Sequence, residues 1–177
     1  MTGNHDSDSL DSLTDPATLR DHADVDFRER REAVDAADFE DVTDLDSHVA
    51  VGVANDRGVL LQNDGHHGWT LPAFAVDAGE DWLAVARREF ESLTGAAVEI
   101  AAVERVRRLE YRVPVADDQA TIWNLVVRAT AEDSLSDDPE SRVDDTDVRW
   151  FDGVPEDVEG PVAADVECVV NADTARK

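Results

Sequence analysis

Lysine is almost absent from this chain of 177 residues: only Lys177 supplies it, and every other strongly basic side chain is an arginine. Against 16 lysines and arginines stand 42 aspartates and glutamates, a formal net charge of −26 at pH 7. No basic stripe could compete with that field for a phosphate backbone, so nucleic acid is excluded as a partner. Cysteine occurs once, at Cys168, which rules out an internal disulfide and a cysteine metal cage. No apolar run is long enough to span a bilayer, and the opening MTGNHDSDSL has no apolar signal region. The reading is of a cytoplasmic chain with no membrane partner. The acids run along the whole length rather than gathering in a tail, a pattern suited to concentrated salt, where self-repulsion is screened. The expected source is a halophilic archaeon.

What is present fits one domain with a short extension. Residues 1–15 read as a disordered acidic N-terminus, 16–44 as an N-terminal extension and 45–172 as the domain. Asp15-Pro16 is a helix start. Val25 to Val34 alternates in a way that suits an exposed strand or a charged helix, an edge strand being favoured, followed by a short helix around Ala36 to Val42. HVAVGVA, from His48 to Ala54, and Val59 to Gln62 form a hairpin about Asn55-Asp56-Arg57-Gly58. Val98 to Val113 is strand material, with Val103, Arg105, Arg107, Leu109 and Tyr111 on one side. On the other are Val106, Arg108, Glu110 and Arg112. ATIWNLVVRAT is an apolar strand, DVRWF a last strand, and Val162 to Val170 a closing helix. Strands outnumber helices without regular βαβ alternation, so a mixed sheet with helices on both faces is the economical fold.

The most informative stretch is Gly68 to Ala96, GWTLPAFAVDAGEDWLAVARREFESLTGA. A helix is predicted from Glu80 to Thr94. Trp82, Leu83, Ala86, Phe90 and Leu93 recur on one side, and Gly95 supplies the left-handed stop. Arg88, Glu89 and Ser92 flank that stripe. These residues resemble the signature of the Nudix hydrolases, G-x5-E-x7-R-E-U-x-E-E-x-G-U, with U a bulky apolar residue. Glu80 matches the first Glu, Arg88-Glu89 the R-E pair, Phe90 the apolar position and Gly95 the closing glycine. Gly68-Trp69-Thr70-Leu71-Pro72 is similar to the G-W-x-L-P that precedes the signature in many members. Three positions depart from it. Phe74 stands for the opening glycine, Ser92-Leu93 for the E-E pair and Ala96 for the last apolar residue.

The resemblance implies an α/β/α sandwich over roughly residues 45–170 and a magnesium (or manganese) ion bridging a substrate diphosphate. By the family pattern Glu89 would hold the metal, assisted by the Ser92 hydroxyl and the Phe74 carbonyl. Arg88 would orient the site through Glu80. Leu93 sits near the middle of the apolar stripe and reads as core. Glu110 and the later acids Glu132, Asp133, Asp137, Asp138 and Glu140 are positional candidates for a lost ligand. As a substrate contact, the arginine cluster offers Arg105 and Arg107, and Trp69 could stack a base. His66-His67 precede the lead-in, and as adjacent residues on an extended chain they face opposite ways.

Two functions follow. One is a magnesium-dependent hydrolase cleaving a nucleoside diphosphate linked to another moiety, such as ADP-ribose or a nucleotide, weakened by loss of two box glutamates. The alternative is a catalytically silent Nudix-like domain that binds a nucleotide or a protein partner. A homodimer is left open.

Overall fold

The structure, a computed structural model, describes residues 12–22, 25–43, 47–55, 57–65, 68–77, 79–131, 139 and 141–176. His66, His67, Glu132, Asp133, Asp137, Asp138, Glu140 and most of the acidic N-terminus lie outside them.

A 3-10 turn at Pro16–Leu19 leads to β1 (Asp26–Ala33) and α1 (Ala36–Thr43). The hairpin is β2 (His48–Asn55) and β3 (Gly58–Asn63), followed by β4 (Trp69–Thr70), β5 (Ala73–Ala75) and α2 (Trp82–Thr94). Then come β6 (Val98–Val113), β7 (Asp118–Ala131), β8 (Asp147–Phe151) and α3 (Gly160–Arg176). The strands make one mixed sheet in the order β1-β6-β7-β2-β3-β4, with β5 added to β2 and β8 to β3. β1 runs parallel to β6 and β2 parallel to β7, whereas β6 and β7 are antiparallel. β1 does form the edge, and its run of exposed charged side chains blunts that edge against pairing with another chain.

The period of two along β2 assigns its residues to the two faces. Val49, Val51 and Val53 meet Leu83, Ala86, Phe90 and Leu93 of α2 in one core. Ala50 joins Val126, Leu61 and the α3 residues Val166 and Val169 in a second core on the other face. Between them, Gly52 lets α3 lie close: a Cβ there would stand 2.3 Å from Val169 Cγ2. Leu13 and Leu19 pack with the α2 core, so the segment ahead of β1 covers the same hydrophobic surface as the signature helix.

Two bulges in β6, at Ile100/Ala102 and Val103/Arg105, change the alternation read from the sequence. Val103 therefore sits in the α2 core, opposite the face taken by Arg105 and Arg107. α3 is also longer than the predicted Val162 to Val170.

The β2–β3 turn depends on Gly58, which has φ +116° and would carry a Cβ only 2.0 Å from the Phe151 carbonyl oxygen. Gly58→Ala is expected to cost about 3 kcal/mol, from combined left-handed strain and backbone overlap. Urea unfolding measures it; a loss below about 1 kcal/mol would mean that the β3–β8 contact gives way easily.

Candidate functional site

The signature region folds as strand, turn and helix. β5 is followed by a tight turn in which Glu80 N–H donates to the Asp77 carbonyl at 3.1 Å and Asp77 N–H donates to Glu80 Oε1 at 3.1 Å. Asp81 is the N-cap: its Oδ1 accepts from Leu83 N–H at 3.0 Å and Ala84 N–H at 3.3 Å. The helix thus begins at Trp82, two residues later than the sequence suggested, because the Asp81 side chain satisfies the open amides. The same oxygen accepts from Leu13 N–H at 2.9 Å, tying the preceding segment to the helix start. Gly95, at φ +79°, closes the helix with its N–H on the Glu91 carbonyl.

One turn and more of helix separates Glu80 from Arg88, which reaches back to it. Arg88 Nε donates to Glu89 Oε2 at 3.1 Å, and its Nη2 lies 3.8 Å from Glu80 Oε2. The three side chains form a connected, partly exposed array, with Glu89 at 40 % side-chain exposure. Ser92 is exposed, and Leu93 is 2 % exposed within the core.

Phe74 pairs with Val49 of β2. Val51 N–H donates to the Pro72 carbonyl at 2.7 Å and Val76 N–H to the Ser47 carbonyl at 2.9 Å. Antiparallel alternation then places the Phe74 carbonyl in the ladder, facing the Val49 amide. Its side chain packs against the α2 core.

Magnesium is held by one or two protein carboxylates beside substrate phosphates and water rather than by an all-protein cage. Among the described residues no three His, Cys, Asp or Glu side chains converge, and the position that would supply a second helical carboxylate is the buried Leu93. The described residues by themselves do not make up a resident metal centre. Glu110 adds nothing to it: Arg108 Nη2 holds it at 3.0 Å and Arg31 Nε lies 3.7 Å away.

The opposite face carries a cleft of about 480 Å3 between α3 and the sheet. Its floor uses the small residues Ala50, Ala73 and Ala75, with Ile122 and Asn124 of β7 and Leu109 and Tyr111 of β6 beside them. Val162 and Asp165 of α3 close one side, and Gln62, Asp64 and Thr70 border the other. β5 joins this cleft to the signature: Ala75 lines it, and the Asp77–Glu80 turn begins two residues later.

Arg105 and Arg107 do not line the cleft; both hold the Asp165 side chain at its wall. Arg105 Nη1 donates to Asp165 Oδ1 at 3.1 Å and Arg107 Nη1 to Oδ2 at 3.0 Å. Arg105 Nε also donates to Asp26 Oδ2 at 3.0 Å. The Asp26 carboxyl is held below its ordinary range, chiefly by its hydrogen bond from Arg28 and further by Arg105. Burial pushes the neighbouring Cys168 thiol up, so at neutral pH it is a protonated packing group rather than a nucleophile. Trp69 stacks edge-on with Phe151 at 4.9 Å, and Arg149 lies 5.1 Å from its ring centre.

Asn124 and Asp165 were not singled out from the sequence. A signal existed for the first: an asparagine inside ATIWNLVVRAT stands in an apolar strand where that residue type is depleted. Asp165 gave none, because its partners are 58 and 60 residues away.

The model of the NUDIX domain matches residues 45–161. A search of curated protein sequences gave no match. Among solved structures, one described as a UDP-X diphosphatase is 13 % identical with a TM-score of 0.51, over 81 % of this chain and 73 % of its own. A NUDIX hydrolase from Nitrosomonas europaea is 22 % identical with a TM-score of 0.45, over 70 % and 69 %. A pyrophosphohydrolase from Bacillus subtilis is 21 % identical with a TM-score of 0.40, over 68 % and 71 %. The first of these supports the shared fold.

Proposed function

Because the chain belongs to the NUDIX domain family, we propose that it is a weakened Nudix-type pyrophosphohydrolase acting on a nucleoside diphosphate linked to another moiety, such as ADP-ribose. The observation that carries this reading is the Glu80–Arg88–Glu89 array, in which the one helical carboxylate left by the signature is held in place by a guanidinium. Water attacks one phosphorus and the bridging P–O bond breaks, giving a nucleoside monophosphate and the phosphorylated second moiety, with the water's proton passing to the released phosphates or to solvent. Any magnesium enters as part of the substrate, since a diphosphate carries it and one or two carboxylates suffice beside substrate phosphates. Glu89 is the carboxylate offered to that complex, and Arg88 and Glu80 are positioning residues.

The test is release of nucleoside monophosphate from a panel of nucleotide sugars and dinucleotides, in molar salt with magnesium. Glu89→Gln is expected to lower kcat/KM about a hundredfold, the size of effect seen when a preorganised electrostatic group is removed. Unchanged turnover in that variant would remove the proposed site.

The burial of Leu93 favours a second reading, a nucleotide-binding domain without catalysis. It predicts a raised melting temperature with nucleotide and no product, with little effect of magnesium.

A further inference from the structure

We propose that the cleft between α3 and the sheet is a nucleobase pocket in which the Asn124 carboxamide reads the donor–acceptor edge of the ring. The inference rests on the nucleotide reading above and deepens it.

Asn124 lines the cleft, and its Oδ1 is buried with no hydrogen-bond partner among the described residues. Buried polar atoms are paired in all but a few cases, and this oxygen is closed to the cavity as it stands, so it gains a partner when the carboxamide turns toward a ligand in the cleft. The register sets its place: Asn124 lies between His48 of β2 and Arg107 of β6, in the middle of the sheet, where the backbone is held on both sides. A carboxamide is planar and carries an acceptor beside two donors, and rotation about χ2 turns either end toward the cavity. The matching shape is a flat, neutral ring with a donor next to an acceptor, which is the edge of a nucleobase.

The rest of the cleft agrees with that occupant. About 480 Å3 falls within the range of small-molecule sites. Ala50 pairs with Ala73 and His48 with Ala75, so small side chains lie side by side and leave a shallow floor for a ring. Among the described residues no lysine or arginine lines the cleft, while Asp64 and Asp165 do, and His48 is the one described lining side chain able to gain positive charge. With the Arg105 and Arg107 guanidiniums engaged by Asp165, the described lining offers a phosphate little positive charge, so the ring end enters and the phosphates stay outside.

The probes are the four uncharged nucleosides and inorganic diphosphate, titrated calorimetrically in molar potassium chloride into the full chain, Asn124→Leu and Ala75→Trp. Ala75 is exposed at the cleft, so tryptophan there has room to fill it. At least one nucleoside is expected to bind the natural chain. Asn124→Leu should weaken it about tenfold or more, the cost of one buried hydrogen bond to a polar group. Ala75→Trp should abolish it, with both variants keeping the natural chain's cooperative melt. Equal nucleoside binding in all three proteins overturns the pocket. If nucleotides are hydrolysed but no nucleoside binds and Asn124→Leu leaves KM unchanged, the pocket falls and the hydrolase reading stands. If the natural chain neither binds nor cleaves any nucleotide, the hydrolase reading falls and takes the pocket with it.

Discussion

Leu93→Glu is expected to lower stability by about 4 kcal/mol or more, enough to unfold much of the protein, whereas Ser92→Glu one residue earlier should change it by less than about 0.5 kcal/mol. Both substitutions introduce the same side chain on the same turn of α2. The difference is environment. Leu93 is 2 % exposed and packs with Phe90, Leu83 and the β-strand valines, so a carboxylate there loses its water among apolar neighbours. Ser92 is exposed and keeps its hydration. Urea unfolding of the two single variants at neutral pH and constant salt gives the contrast directly. If Leu93→Glu folds with near-natural stability, the helix has rotated to bring that position to solvent, and the placement of Glu89 would have to be redrawn with it. As long as the contrast holds, rebuilding both acids of the signature is a route to unfolding rather than to restored activity.

Asp165→Ala should cost about 3 kcal/mol, the lower end of what is lost when one partner of a buried ion pair is removed. The carboxylate lies between two guanidiniums, both little exposed, at 2.9 to 3.1 Å. Without it, Arg107 loses its carboxylate partner, while Arg105 retains Asp26 at 3.0 Å, which is why the lower figure applies. For a chain of this length that is a fall of roughly 6–12 °C in melting temperature. Asp165→Asn keeps an acceptor of the same shape and should lose less than the alanine variant. Equal losses in the two would mean that packing of α3, and not its charge, secures the helix. Because Asp165 also lines the cleft, the alanine variant should weaken ligand binding as well.

How much of this was legible beforehand depends on how far apart the determining residues are. α2 was legible because its signals are local: the apolar stripe from Trp82 to Leu93, acids at its start and Gly95 at its end. Even there the start was misplaced by two residues, since Glu80 and Asp81 look alike as acids and only one caps. The edge strand β1, the hairpin of β2 and β3 and the last strand β8 were also legible from alternation and turn residues. The face taken by Val103 was not, because a bulge consumes one residue and reverses the alternation, and nothing in VERVRR announces it. The arginines were seen as a cluster, yet their roles were decided by an aspartate in α3 that strand register brings to them.

The order of side chains along the chain was enough to point to the family and to place the signature helix that carries Glu89, because both follow from spacing within about thirty residues, whereas the parallel pairs of the sheet join strands far apart in the chain. Only the folded molecule could decide that Asp165 occupies Arg105 and Arg107, and that Asn124 lines a cleft with its Oδ1 unpaired among the described residues. Those facts arise where strands and helices far apart in the chain are packed together. Burial, pairing and cavity shape are properties of that packing, not of any short stretch.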